Sequence, residues 1–411
     1  MNTFAIIILL ALILNYLIDI ISDYLNLSAL KKELPKEFDG IYDQERYAKS
    51  QEYTKVTTRF GVIISTFSLL LLLGFWFLGG FNWLDVIVRS WGFSELITGL
   101  LFIGILVIGN TVISLPFSIY RTFVIEERFG FNKTSPTTFI ADLFKGLLLT
   151  VLLGGPLLAG LLYFFMYAGS FAWLYAWATV VIFTLIIQYI APTWIMPLFN
   201  KFEPLEDGQL RSEIMKTADK ADFPLKGVFK IDGSKRSSKS NAFFTGFGKN
   251  KRIALYDTLI EKHTVAELVA ILAHEIGHYK KKHIVKGMVI SVLHTGVLLA
   301  LLQFFLSSEG LFDAFYMENM SVYAGLIFFG LLFTPVEMIL SIFMNILSRK
   351  HEFEADAFAA DTTREPEVMI DALKKLSAHN LSNLTPHPFY VFMNYSHPPA
   401  LVRIQALRQL G

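Results

Sequence analysis

The sequence predicts an all-α membrane protein of seven transmembrane helices, carrying a small α+β domain on its cytoplasmic side. Three observations carry that class. The chain is 54% hydrophobic and only 17% charged, whereas charged residues make up about a quarter of an ordinary soluble domain. So few charges cannot wet the surface of so large a core. Seven stretches reach or approach the roughly 20 apolar residues that span a bilayer, at 3–22, 60–81, 96–118, 139–166, 172–195, 287–306 and 322–346. The loops between them alternate between basic and base-poor.

The first stretch has no basic leader and no small-residue cleavage site, so it reads as a span and not a signal peptide. Residues 23–59 carry Lys31, Lys32, Lys36, Arg46, Lys49, Lys55 and Arg59, while the loop at 82–95 carries only Arg89. The loop at 119–138 has Arg121, Arg128 and Lys133, and 167–171 has no base. Gly154, Gly155 and Pro156 predict a kink in the fourth span. Residues 196–286 are rich in Lys and Arg, 307–321 have none, and the tail opens with Arg349 and Lys350. Positive loops stay in the cytoplasm. The N-terminus and Ser307 are therefore expected outside, and the large segment, Ser377 and the C-terminus inside. The domain plan is five spans in 1–195, a cytoplasmic segment at 196–286, two spans in 287–348 and a cytoplasmic tail at 349–411.

Composition also excludes. A net charge of +1 gives no basic surface for nucleic acid. The absence of Cys removes disulfides, thiolate metal sites, iron–sulfur clusters and a thiol nucleophile. Any metal must be held by His and carboxylates.

Within the cytoplasmic segment, 227–233 and 252–257 read as strands, with a loop at 234–240 leading into Asn-Ala-Phe-Phe-Thr-Gly at 241–246. Thr264 and Glu267 fit a capping box, so a helix starts there. On it sits His274-Glu275-Ile276-Gly277-His278. Two His at i and i+4 share a helical face and can hold one zinc ion, with Glu275 beside them to take a proton from activated water. A catalytic zinc takes a third protein ligand. The segment 348–360 offers candidates, with Glu352 and Asp356 on one face, but spacing alone does not choose among Glu352, Glu354, Asp356 and His351. Asn110, His294 and Glu337 lie deep in the spans and suit a hydrated interior, while Asp19 and Lys145 lie near helix ends and snorkel. His263, His283, His351, His379 and His387 read as ordinary surface or structural residues.

The pairing of His-Glu-x-x-His with a later Glu-x-x-x-Asp resembles the type I CAAX prenyl endopeptidases, membrane zinc proteases of the gluzincin kind. The likeness extends to Val-Ile-Glu-Glu-Arg-Phe-Gly-Phe-Asn-Lys at 124–133 and Ser-Asn-Ala-Phe-Phe-Thr-Gly-Phe-Gly-Lys-Asn-Lys-Arg at 240–252. It includes Tyr-Asp-Thr-Leu-Ile at 256–260, Glu-Phe-Glu-Ala-Asp-Ala-Phe-Ala at 352–359 and Tyr-Ser-His-Pro-Pro at 395–399. The resemblance implies a barrel of seven long helices around a water-filled chamber, with one zinc per chain. It implies Glu352 as third ligand beside His274 and His278, and Asp356 as its support. Asn241, His397 and Arg403 are then expected to meet the substrate or its oxyanion, and Glu354, on another helix face, to matter least. The implied activity removes the last three residues from C-terminal CAAX tails. The expected partners are a peptide or protein substrate, lipidated or not, and membrane lipids. The compact cytoplasmic segment reads as bacterial, which implies the plasma (inner) membrane and leaves a prenylated substrate without a source.

Two other functions fit parts of the pattern. A general quality-control zinc protease for membrane proteins shares the same site and needs no CAAX tail. A transporter or lipid-handling protein with a vestigial metal site is the non-enzymatic alternative. The intact Glu275 argues against that one, because pure binding needs no general base.

Overall fold

The computed structural model describes residues 1–245 and 251–410. Seven helices long and apolar enough to cross a membrane stand where the apolar runs place them: Thr3–Ser28, Gln44–Phe77, Glu95–Glu126, Pro136–Tyr167, Gly169–Leu198, His283–Phe305 and Val322–Thr363. Several outrun their apolar stretches. The second begins at Gln44 inside the expected basic loop, and the seventh continues for 42 residues to Thr363. Hydropathy marks where lipid ends, while helix propensity and tertiary packing decide where the helix ends.

Two local features differ from or refine the sequence reading. The stretch at 82–95 is not all loop: Gly80–Ser90 is a helix that buries Phe81, Leu84, Asp85 and Val88. That i, i+3, i+4, i+7 stripe is helical, but it is too short to register as a span. Arg89 closes it with bonds to Asp85 (2.8 Å) and Glu95 (2.9 Å). In the fourth span, the expected irregularity takes the form of a π-helical turn at Thr150–Gly154, just before Gly155 and Pro156. A wide turn absorbs the hydrogen bond that proline cannot donate.

The spans touch along part of their length, the fourth against the fifth, the fifth against the sixth and the first against the seventh most of all. Only 6–17% of each span's most apolar stretch is buried, where helices of a close-packed bundle would each hide a whole stripe. Most residues in these stretches therefore keep some accessible surface. Their common core lies at one end, where Trp76, Phe81, Phe315 and Phe328 pack together. Phe315 stacks on Phe328 at 3.9 Å, and the Trp76 indole donates to the Ala314 carbonyl at 2.6 Å. A cavity of about 810 Å³ runs between the second, third and seventh spans, with Asn110, Ser114, Ser118 and Arg121 as polar wall. His294 and Glu337, from the sixth and seventh spans, pair at 3.1 Å. Intramembrane polar groups are expected to pair or face such interiors.

At the other end sits a four-stranded sheet: β1 (Phe202–Pro204), β2 (Leu225–Ile231), β3 (Ala242–Thr245) and β4 (Lys251–Tyr256). The order is β1-β2-β4-β3, with β2 parallel and β3 antiparallel to β4. Among the described residues β3 is therefore an edge strand. Gly246, the expected end of that strand, and residues 247–250 of the 240–252 motif lie outside the described residues. Helices Gln209–Lys220 and Val265–Lys280 cover the sheet through Ile214, Ala218, Leu268, Leu272 and Ile276. The basic loop before β3 docks onto the spans: Arg236 forms a two-toothed ion pair with Asp142 (2.7 and 2.8 Å), and Lys239 reaches Glu126 (3.0 Å) and the Tyr53 hydroxyl (2.8 Å).

Candidate active site

The helix Val265–Lys280 starts with the capping box the sequence predicts. Thr264 Oγ1 accepts from the Glu267 amide, and Glu267 accepts from the Thr264 amide. Lys375 pins the same carboxylate at 2.6 Å. Downstream, Gly277 meets the seventh-span helix. A Cβ there would stand 3.0 Å from Ala355 Cα and 3.1 Å from its carbonyl oxygen. Glycine permits this close crossing, which brings the His pair against the Glu-Phe-Glu-Ala-Asp stretch.

The crossing makes a cluster. His274 Nε2 and His278 Nε2 lie 3.1 Å apart. Glu352 Oε2 is 3.5 Å from the first and Oε1 is 3.3 Å from the second. The three side chains offer ligand atoms within 4.8 Å of one another. Ligands about 2.1 Å from a tetrahedral ion stand about 3.4 Å apart, so the spacing suits a small cation. Glu352 Oε2 is buried and has no hydrogen-bond partner among the described residues, though Arg403 Nη1 lies 3.2 Å away. A buried acceptor that lacks a well-formed hydrogen bond is costly, and a cation among these ligand atoms would add to what Arg403 supplies. Two neutral imidazoles and a carboxylate form a borderline donor set that suits zinc.

Asp356 stands behind His274: its Oδ1 lies 2.8 Å from His274 Nδ1. Arg403 grips the same carboxylate at 2.6 and 2.8 Å and is itself buried. Arg403 lines the cavity, but most of its guanidinium is spent on Asp356. His397 is exposed and lines the same cavity, with Nε2 3.4 Å from Glu352 Oε1. Asn241 closes the rim just before β3; its Oδ1 accepts from the Ala242 amide at 2.9 Å. Glu275 is half-buried and faces the same space. All eight residues singled out in the sequence thus gather around one cavity of about 330 Å³. Its remaining wall is apolar, from Leu259, Ile271, Met369, Leu373 and Leu376.

The electrostatics follow from burial and these neighbours. Burial opposes a charge on His274, but the Asp356 and Glu352 carboxylates outweigh it and lift the pKa to about 9. Burial pushes the Glu275 carboxyl up, against the pull of His274 and His278.

The sequence reading missed a link that runs through His283 and Glu354. His278 Nδ1 lies 3.0 Å from His283 Nδ1, and His283 Nε2 lies 2.9 Å from Glu354 Oε2. His283 is buried and stacks on His351 at 3.8 Å and 11°. No helical period joins 278 to 283. The link arises because Lys282 adopts a left-handed φ of 57°, which ends one helix and starts the next. Glu354, expected to matter least, thus touches a histidine that touches His278.

The chain is similar to known proteins along nearly its whole length. The N-terminal part, residues 23–201, matches the model described as CAAX prenyl protease N-terminal, five membrane helices; residues 204–410 match the Peptidase family M48 model. A CAAX prenyl protease 1 homolog of Arabidopsis thaliana is 38% identical over 410 residues, covering 96% of this chain and 95% of that one. CAAX prenyl protease 1 of Saccharomyces cerevisiae is 36% identical, covering 93% and 90%. The crystal structure of S. mikatae Ste24p superposes with a TM-score of 0.93 at 33% identity, covering 99% of each chain. Seven spans, a His-Glu-x-x-His helix locked to a Glu-x-x-x-Asp helix, and likeness along nearly the whole length have one reading: the chain belongs to peptidase family M48 and is a multi-pass membrane metalloprotease.

Proposed function

We propose that the chain is a zinc endopeptidase that cuts peptide bonds near the C-terminus of membrane-associated substrates of the CAAX type. One zinc would be held by His274, His278 and Glu352, with Glu275 as general base. The observation that carries this reading is the convergence of those four side chains in one cavity beside β3, an edge strand among the described residues.

Zinc bound there would supply Lewis acidity, acidifying water and polarising the scissile carbonyl. Glu275 takes the proton of the attacking water and passes it to the leaving amine. Its burial-raised pKa brings it nearer the pH at which such exchange is efficient. Asp356 holds the Nδ1 proton of His274, which turns the Nε2 lone pair into the cavity. The peptide lies extended along β3 and pairs with the edge facing away from β4, so backbone hydrogen bonds set the register. Asn241 stands at the head of that strand and steadies the chain near the cut. His397 Nε2 is exposed beside Glu352 and suits stabilisation of the developing oxyanion. The apolar wall from Leu259 to Leu376 receives a substrate side chain.

We read residues 196–286 and 349–411 as one cytoplasmic catalytic unit, and 1–195 with 287–348 as its membrane housing. The N-terminus then faces outward, as the alternating loop charges require. Membrane lipids surround the spans.

The test is a pair of peptides ending in a CAAX sequence, one farnesylated and one bare, given to the purified protein in lipid vesicles. Mass spectrometry reads the products. Release of the C-terminal tripeptide, faster from the farnesylated peptide, is the expected result. Equal cutting of both would favour a quality-control protease with no CAAX requirement. Cutting of neither, by zinc-loaded protein, would overturn the CAAX assignment.

A further inference from the structure

We infer that Glu354 and His283 form a relay that positions His278, as Asp356 alone positions His274. The inference rests on the reading of His278 as a metal ligand.

The proton arrangement follows from the contacts. A carboxylate only accepts, so the 2.9 Å contact between His283 Nε2 and Glu354 Oε2 requires a proton on that nitrogen. In a neutral imidazole the other nitrogen, Nδ1, is then bare and accepts. It lies 3.0 Å from His278 Nδ1, which must donate. With its proton on Nδ1, His278 has a bare Nε2, and this nitrogen faces His274 and Glu352. One carboxylate thus selects the ligand-competent tautomer of a histidine that it never touches.

The relay is also held rigid. His351 lies flat against His283, with centroids 3.8 Å apart and planes 11° from parallel. The His283 side chain is 4% exposed, so water does not compete for its nitrogens. Glu354 is two residues from Glu352 and from Asp356, and successive residues on a helix turn by about 100°. It cannot reach the metal cluster directly. The turn at Lys282 brings His283 back beneath His278 and bridges the gap. Residues 352, 354 and 356 are then a ligand, the anchor of one ligand His and the anchor of the other. Outer partners of ligand histidines typically govern roughly 10–100-fold in metal affinity.

The experiment measures zinc affinity by chelator competition on the full-length protein in detergent. The variants are His283→Ala, Glu354→Ala, Glu354→Gln and the double His283→Ala/Glu354→Ala. We expect each Ala variant to bind zinc roughly 10–100-fold more weakly. The double variant should be no worse than His283→Ala, because both changes cut the same wire. Glu354→Gln should keep most of the affinity, since its amide oxygen still accepts from His283. That rescue separates a relay from a bulk structural role. Should His283→Ala fail to fold, the contrast between Glu354→Ala and Glu354→Gln decides alone. Unchanged affinity in Glu354→Ala, an equal loss in Glu354→Gln, or losses that simply add in the double variant would overturn the relay. His278→Ala is the control: if it binds zinc as tightly as the parent protein, the ligand assignment fails, and the relay falls with it.

Discussion

His274 Nδ1 and Asp356 Oδ1, 82 residues apart in sequence, lie 2.8 Å from each other. That bond fixes the tautomer of the first histidine of His-Glu-x-x-His, and Arg403 completes it by chelating the same carboxylate. His274, Asp356 and Arg403 thereby bond one another within one buried site.

Asp356→Ala should consequently do two things. Zinc affinity should fall by roughly 10–100-fold, because the His274 ring loses its anchor. Stability should fall by roughly 3–5 kcal/mol, because the buried Arg403 guanidinium loses its main counter-charge. Chelator titration and chemical unfolding of the zinc-free protein read the two effects separately. A variant as stable as the parent would mean that Arg403 finds another carboxylate, with Glu352 the nearest at 3.2 Å.

Gly277 carries a prediction about packing alone. A methyl group at this position meets Ala355 backbone at 3.0–3.1 Å and the Phe358 Cβ at 3.2 Å. None of these is the end of a flexible side chain, so the two helices must separate. Gly277→Ala should cost about 1–3 kcal/mol as overpacking. It should also weaken zinc binding, since the helices carry His278 and Glu352 on either side of that contact. Normal zinc affinity in this variant would show that the ligand set tolerates a shift of the helix pair.

Topology can be read with single cysteines in a chain that has none. Ser307 is exposed in the turn after the sixth span. The sequence alone suggests Ser377 as its opposite number, but Ser377 is buried, whereas Ser382 is exposed and five residues on. Ser307→Cys and Ser382→Cys should react with an impermeant maleimide from opposite faces of sealed vesicles. Reaction of both from one face would contradict the positive-inside assignment.

Much of this site is legible in the sequence because its chemistry is local. His274 and His278 are one helical turn apart, as are Glu352 and Asp356, and Thr264 announces the helix that carries the first pair. Seven spans are legible because lipid demands about 20 apolar residues in a row. What escaped is what only tertiary folding creates. The helix Gly80–Ser90 is amphipathic but short. The Lys282 turn that brings His283 to His278 depends on one left-handed residue with no glycine to mark it. Spacing within a helix likewise could not show that Glu354 reaches the site from another face, nor that Arg403 spends its charge on Asp356.

The central claim is that Glu275 activates water at a metal held by His274, His278 and Glu352. Glu275→Gln tests it most directly, with zinc content and peptide cleavage measured on the same preparation. Glutamine keeps the shape and touches no ligand, so zinc should remain near one per chain while turnover falls by several orders of magnitude. Cleavage at the parent rate by the zinc-loaded Gln variant would contradict the account.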